Sequence, residues 1–157
     1  TSMRLDVQAD ANGVARAQLQ APAEVGSTVV VAYTDELAAS VTIAFVRALP
    51  TRIDLDAQEP ALNVTSGDDA QVVAYLRRSP GVATAGTPVE FSAVDSAGRP
   101  IGAFDTVTPS DASGRATANF GVPSSTRYRG AVTLLARVRD PDTGSIIEGR
   151  TTIDLID

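Results

Sequence analysis

Residues 111–123, Asp-Ala-Ser-Gly-Arg-Ala-Thr-Ala-Asn-Phe-Gly-Val-Pro, have a near copy at residues 10–22, Asp-Ala-Asn-Gly-Val-Ala-Arg-Ala-Gln-Leu-Gln-Ala-Pro. Without a gap, Asp10/Asp111, Ala11/Ala112, Gly13/Gly114, Ala15/Ala116, Ala17/Ala118 and Pro22/Pro123 are identical, and Leu19 answers Phe120. Each copy reads as a tight turn running into a strand. Asp and Asn/Ser bond the turn backbone, and Gly supplies its positive φ. Ala116, Ala118 and Phe120 then alternate with Arg115, Thr117 and Asn119, the period of a half-buried strand. The same alternation predicts a strand after the first turn, with Ala15, Ala17 and Leu19 on one face.

The copying continues beyond the turn. Residues 26–32 (Gly-Ser-Thr-Val-Val-Val-Ala) match residues 130–136 (Gly-Ala-Val-Thr-Leu-Leu-Ala), and residues 42–46 match residues 152–156. Three elements thus recur in one order, which is the mark of a repeat. About four further strands precede the second copy: Thr51–Asp56, broken by Gln58-Glu59-Pro60 before a short edge strand over Ala61–Val64, then Ala70–Arg77 with Val72, Ala74 and Leu76 inward, and Pro88–Val94; a turn over 96–100 and a short strand or bend over 101–106 follow. Almost nothing precedes the first. Residues 4–47 therefore read as the C-terminal half of one module and residues 50–157 as a whole one. Residues 21–26 read as a connection within the first piece, and the connector Arg47–Pro50, closed by proline, marks the boundary between the two. The opening Thr1-Ser2-Met3 has the look of a cloning remnant.

Composition removes whole classes of chemistry. The 157 residues contain no His and no Cys, and all 13 basic residues are Arg. That excludes thiol nucleophiles, His-dependent acid–base pairs, the usual zinc sites, Schiff-base catalysis and Lys–Asn crosslinks. A net charge of −6 argues against a nucleic-acid partner, which needs a basic footprint. No apolar run approaches the ~20 residues of a spanning helix, so no membrane span is expected, and no signal-peptide pattern is present.

Seven or so short strands with turns every 8–12 residues form the pattern of an Ig-like antiparallel β-sandwich, and no helical period competes with it. The turn-strand motif, the later Gly-x-x-x-Val/Leu-x-Ala strand and residues 86–91, Gly-Thr-Pro-Val-Glu-Phe, resemble the bacterial Ig-like group 1 repeats of intimin and invasin. That resemblance implies tandem modules, the first truncated, in the stalk of an exported bacterial surface protein. It implies a cell-surface, outer-membrane-associated location and a non-catalytic adhesion or spacer role. Neighbouring modules of the same protein are the implied partners, and the family has no catalytic motif and no cofactor to carry over.

The exposed polar motifs divide between ordinary turn chemistry and binding. Residues 142–145, Asp-Thr-Gly-Ser, match the aspartic-protease string, but that chemistry needs two such Asp side by side and the chain has one copy. A turn is expected there instead. Asp140, Asp142 and Glu148 lack calcium-loop spacing, since Gly144 falls where a ligand belongs, so no metal is assigned. The longer loop carrying Arg127, Tyr128 and Arg129, with Asp142 in the other extension, provides candidate contacts for a glycan or a protein partner. A ligand-binding module using these loops is the alternative to a spacer. An accessory sandwich of an enzyme is a further one. Asn63-Val64-Thr65 is a formal glycosylation acceptor, read as accidental. Finally, the half module's apolar face (Ala15, Leu19, Val30, Ile43, Phe45) cannot form a sandwich alone. Another copy of the chain, or upstream residues, is expected to cover it.

Overall fold

A computed structural model describes residues 3–20 and 25–157. The connection expected over 21–26 lies outside these residues except at its end, as do Thr1 and Ser2. The chain divides into two units, Thr1–Val46 and Arg47–Asp157. The described residues contain strands and turns and no helix.

Among its described residues the first unit holds one hairpin, β1 (Gly26–Tyr33) and β2 (Ala38–Phe45). Runs of β-branched residues, Val29 to Val31 and Val41 to Ile43, favour the extended chain here. Thr34 closes the turn, accepting at Oγ1 from the Leu37 amide at 3.2 Å. The strand expected after the first turn does not form: residues 15–20 pair with nothing in the described chain. Alternation sets which side of a strand faces inward, but a strand also needs a neighbour to satisfy its amides.

In the second unit, β3 (Arg52–Ala57), β5 (Asp69–Arg77), β8 (Arg115–Gly121) and β7 (Ala103–Asp105) form an antiparallel sheet in the order β3-β5-β8-β7. A second sheet has the order β4-β10-β9-β6, from β4 (Ala61–Asn63), β6 (Glu90–Val94), β9 (Gly130–Arg139) and β10 (Ile146–Ile156). Its one parallel pair is β4 with β10. The Gln58-Glu59-Pro60 break therefore does more than interrupt an edge strand. It sends the chain from one sheet to the other, and Pro60, with no amide to offer β10, contributes its carbonyl to the Asp154 amide at 3.0 Å.

The two sheets enclose one core, a β-sandwich. Val72 and Phe120 come from the first sheet, and Leu62, Ala93, Val132, Leu134, Ile153 and Leu155 from the second. The inward alternation read from the sequence holds: Ala116, Ala118 and Phe120 are at most 1% exposed. With no Trp, the bulk at the centre comes from a chain of phenylalanines, Phe91 to Phe104 at 5.5 Å and Phe104 to Phe120 at 5.1 Å between ring centroids. A second cluster, around Ile53, Leu76, Ala136 and Val138, fills the other end. There β10 approaches β3 so closely that a Cβ on Gly149 would lie 2.5 Å from the Ile53 carbonyl oxygen.

Phe120→Ala is expected to lower the unfolding free energy of the second unit by about 3–5 kcal/mol, read from urea denaturation. Gly149→Ala, which adds one methyl but has no space for it, is expected to destabilise as well.

Candidate functional site

The repeated turns are built alike, down to the atom. In the second copy Asp111 Oδ1 accepts from the amides of Ser113 at 2.8 Å and Arg115 at 3.0 Å, and Gly114 stands at φ 79°. In the first, Asp10 Oδ1 accepts from Asn12 at 2.9 Å and Val14 at 3.0 Å, with Gly13 at φ 78°. In each, the glycine amide also bonds back to the Asp carbonyl. A third turn, Asp95-Ser-Ala-Gly-Arg99, repeats the arrangement with amides 97 and 99 on Asp95 Oδ1 and Gly98 at φ 77°. This is the three-residue hairpin loop, a turn followed by a left-handed residue. Asp140 does the same in a loop one residue longer, accepting from the Asp142 amide at 2.8 Å.

These bonds are strongest to ionised carboxylates. The Val14 amide holds the Asp10 carboxyl below the ordinary range, and the Arg99 amide does so for Asp95. The Ser113 hydroxyl leads at Asp111, and the Asp142 amide at Asp140. A carboxyl depressed in the folded state stabilises fully above its unfolded value of about 3.9. The contribution is lost as pH falls through the lower folded values. The melting temperature of the second unit is therefore expected to fall on acidification below about pH 4. Asp95→Asn with Asp111→Asn should flatten that fall in a circular-dichroism titration.

The candidate contact residues do not assemble. Arg127, Tyr128 and Arg129 lie in the loop entering β9, whereas Asp142 lies in the loop leaving it. Ten residues of strand separate the two loops, about 30 Å. Tyr128 is also half-buried against the core, and its hydroxyl donates to the Ala131 carbonyl at 2.8 Å and accepts from the Ser96 amide. Arg129 is tied to Asp157 and to the carbonyls of Thr126 and Tyr128. Arg127 and Asp142 are exposed. Of the acids weighed for calcium, Asp140 caps its own loop, and Glu148 lies between Arg137 and Arg150, each at 2.6 Å. The Arg137 guanidinium, seconded by that of Arg150, holds the Glu148 carboxyl low. The Asn63 side chain caps a turn by accepting from amides 65 and 66 at 2.9 Å.

A polar hub missed in the sequence joins the connector to the sandwich. Ala48 and Thr84 exchange two bonds: Ala48 N to Thr84 Oγ1 and Thr84 N to the Ala48 carbonyl, both 2.8 Å. The Thr84 carbonyl accepts from Thr87 Oγ1 at 2.6 Å and Ser110 Oγ at 3.1 Å. Ser110 in turn accepts the Thr87 amide at 3.0 Å. Thr87 and Ser110 are 1% and 3% exposed, so every bond counts where water is excluded. Arg78 adds a bond to the Leu49 carbonyl at 2.7 Å, and Pro50 is buried. Ser110 directly precedes the Asp111 turn, so the hub couples connector, β6 entrance and repeated motif. Small hydroxyl residues at scattered positions give no periodic signal, which is why pattern reading passed over them.

No protein-family model matches the chain, and no curated protein sequence does so. No helix in the described residues is long and apolar enough to cross a membrane. No group of three or more acidic, His or Cys side chains is placed there to hold a metal.

Asp142→Asn is expected to leave the melting temperature unchanged, because only its amide is used in the loop. Asp140→Ala, which removes the loop's acceptor, should lower it.

Proposed function

We propose that the chain is a non-catalytic spacer from the stalk of an exported bacterial surface protein, built of Ig-like repeats. The sheet orders support the Ig-like assignment. With β3, β5, β8 and β7 taken as strands A, B, E and D, and β6, β9 and β10 as C, F and G, the pattern is ABED facing CFG.

The tandem reading draws on the hairpins. Gly26 pairs with Phe45 as Gly130 pairs with Leu155, and the correspondence runs without a slip to Tyr33/Ala38 and Arg137/Glu148. A one-residue slip would turn every side chain to the other face, so shared register reflects shared design.

The docked connector carries the spacer reading. A flexible joint would leave Ala48–Pro50 free, whereas here their backbone is bonded to Thr84 and Arg78 and Pro50 is buried. A stalk works by transmitting position, and a joint without slack at this end serves that purpose. Tyr128, Arg129 and Asp140 at the loops and Glu148 on β10 are occupied in holding the fold.

Thr84→Val keeps the shape of the side chain and removes the acceptor for the Ala48 amide. It is expected to raise the picosecond-to-nanosecond mobility of residues 47–49 in nitrogen-15 relaxation while the sandwich stays folded. Unchanged order parameters at Ala48 and Leu49 would argue against a stiffened joint.

A further inference from the structure

The hairpin β1–β2 presents the face that its counterpart β9–β10 buries. Aligned by register, Thr28, Val30, Ala32, Ile43 and Phe45 stand where Val132, Leu134, Ala136, Ile153 and Leu155 stand in the second unit. Those five are at most 1% exposed. In the first unit Val30 is 37% exposed, Ala32 is exposed, and Thr28, Ile43 and Phe45 are partly exposed. Leu19, the equivalent of Phe120, is 48% exposed. Among the described residues, both outer edges of the hairpin are also unpaired, although β9 carries β6 antiparallel and β10 carries β4 parallel.

We infer that this face is an interaction surface for the strands missing from its own repeat: a segment of the kind formed by residues 51–109, running into Asp10 in the same polypeptide. This rests on the repeat reading above, and not on surface location or the stiff joint. The internal comparison specifies the occupant. It must bring aliphatic residues as Leu62, Val72 and Ala93 do, an antiparallel strand for β1 and a parallel one for β2.

A second copy stacked hairpin to hairpin fits less well. Two strands of eight residues present roughly 27 by 10 Å. Two such faces would bury on the order of 500–600 Å², against about 1,200–2,000 Å² in stable interfaces. That stacking would also leave the four strand edges unpaired. The second unit already shows the complete solution, in which the same face and both edges are covered by one continuous run of chain.

The test is a chimaera in which residues 51–110 are duplicated and joined to Asp10 of the full chain, exchanging the halves at the shared turn. In the parent chain, amides of β1 and β2 should exchange freely at all concentrations, because an isolated hairpin is marginal in water. In the chimaera, they should slow by about a hundredfold or more, and Val30→Asp should abolish the gain. Thr28→Val, Val30→Leu and Phe45→Leu make the five facing residues identical to those of the second unit, so this matched chimaera removes side-chain mismatch as a cause of failure. Free exchange in both chimaeras would overturn the inference. So would a concentration-dependent dimer of the parent, lost on Val30→Asp, which would give the face to a second copy. The joint experiment on Thr84 reads the second unit alone, so the two readings fail separately.

Discussion

A β-strand cannot satisfy its own amides, and this single constraint separates the two units. Residues 15–20 and 115–121 share an alternation and follow turns with the same hydrogen bonds. Only the second set lies between neighbours, β5 on one side and β7 on the other. There Ala116, Ala118 and Phe120 disappear into the core. In the first unit the same pattern stays unpaired among the described residues, and exposed. The turn depends on bonds within five residues and survives alone; the strand depends on partners far along the chain and does not.

That division also marks what was legible in the sequence. Local and periodic features were. The turn glycines, the inward sets on β5 and β8 and the break at Pro60 follow from short-range sterics and a period of two. Non-local features were not. Pro60 signals a break, but only the finished sandwich shows the chain changing sheets. Ser96-Ala-Gly-Arg-Pro100 reads as a turn; that Asp95 builds it in the manner of the two repeated turns emerges from its hydrogen bonds. Arg127 to Arg129 and Asp142 look like neighbouring extensions in the sequence, and a ten-residue strand holds their loops apart. Thr84 and Ser110 meet across 26 residues through a bond that no pattern announces.

The charged surface is organised by the same sheets. Glu148 joins Arg137 of the adjacent strand to Arg150 of its own, and Asp54 joins Arg77 and Arg52 on the opposite sheet. Exposed pairs of this kind add little to stability, typically about 0–1 kcal/mol each. Their stronger effect is on association, since charge on the outer faces and edges discourages sheets from pairing at random. Arginine alone supplies the positive member of every pair, and its planar fork can engage a carboxylate with two donors.

The hairpins keep one register yet differ in length. Residues 34–37 connect the last matched pair of β1–β2, where residues 138–147 do so in β9–β10. The added length is where the connector comes to rest: Leu49 and Pro50 line a shallow depression with Val138, Asp140, Ser145 and Ile147. An ornament at the tip of one hairpin thus doubles as the seat of the chain entering that unit. A hairpin with the shorter tip would offer no such ledge, so the length of one loop also decides where the entering chain can settle.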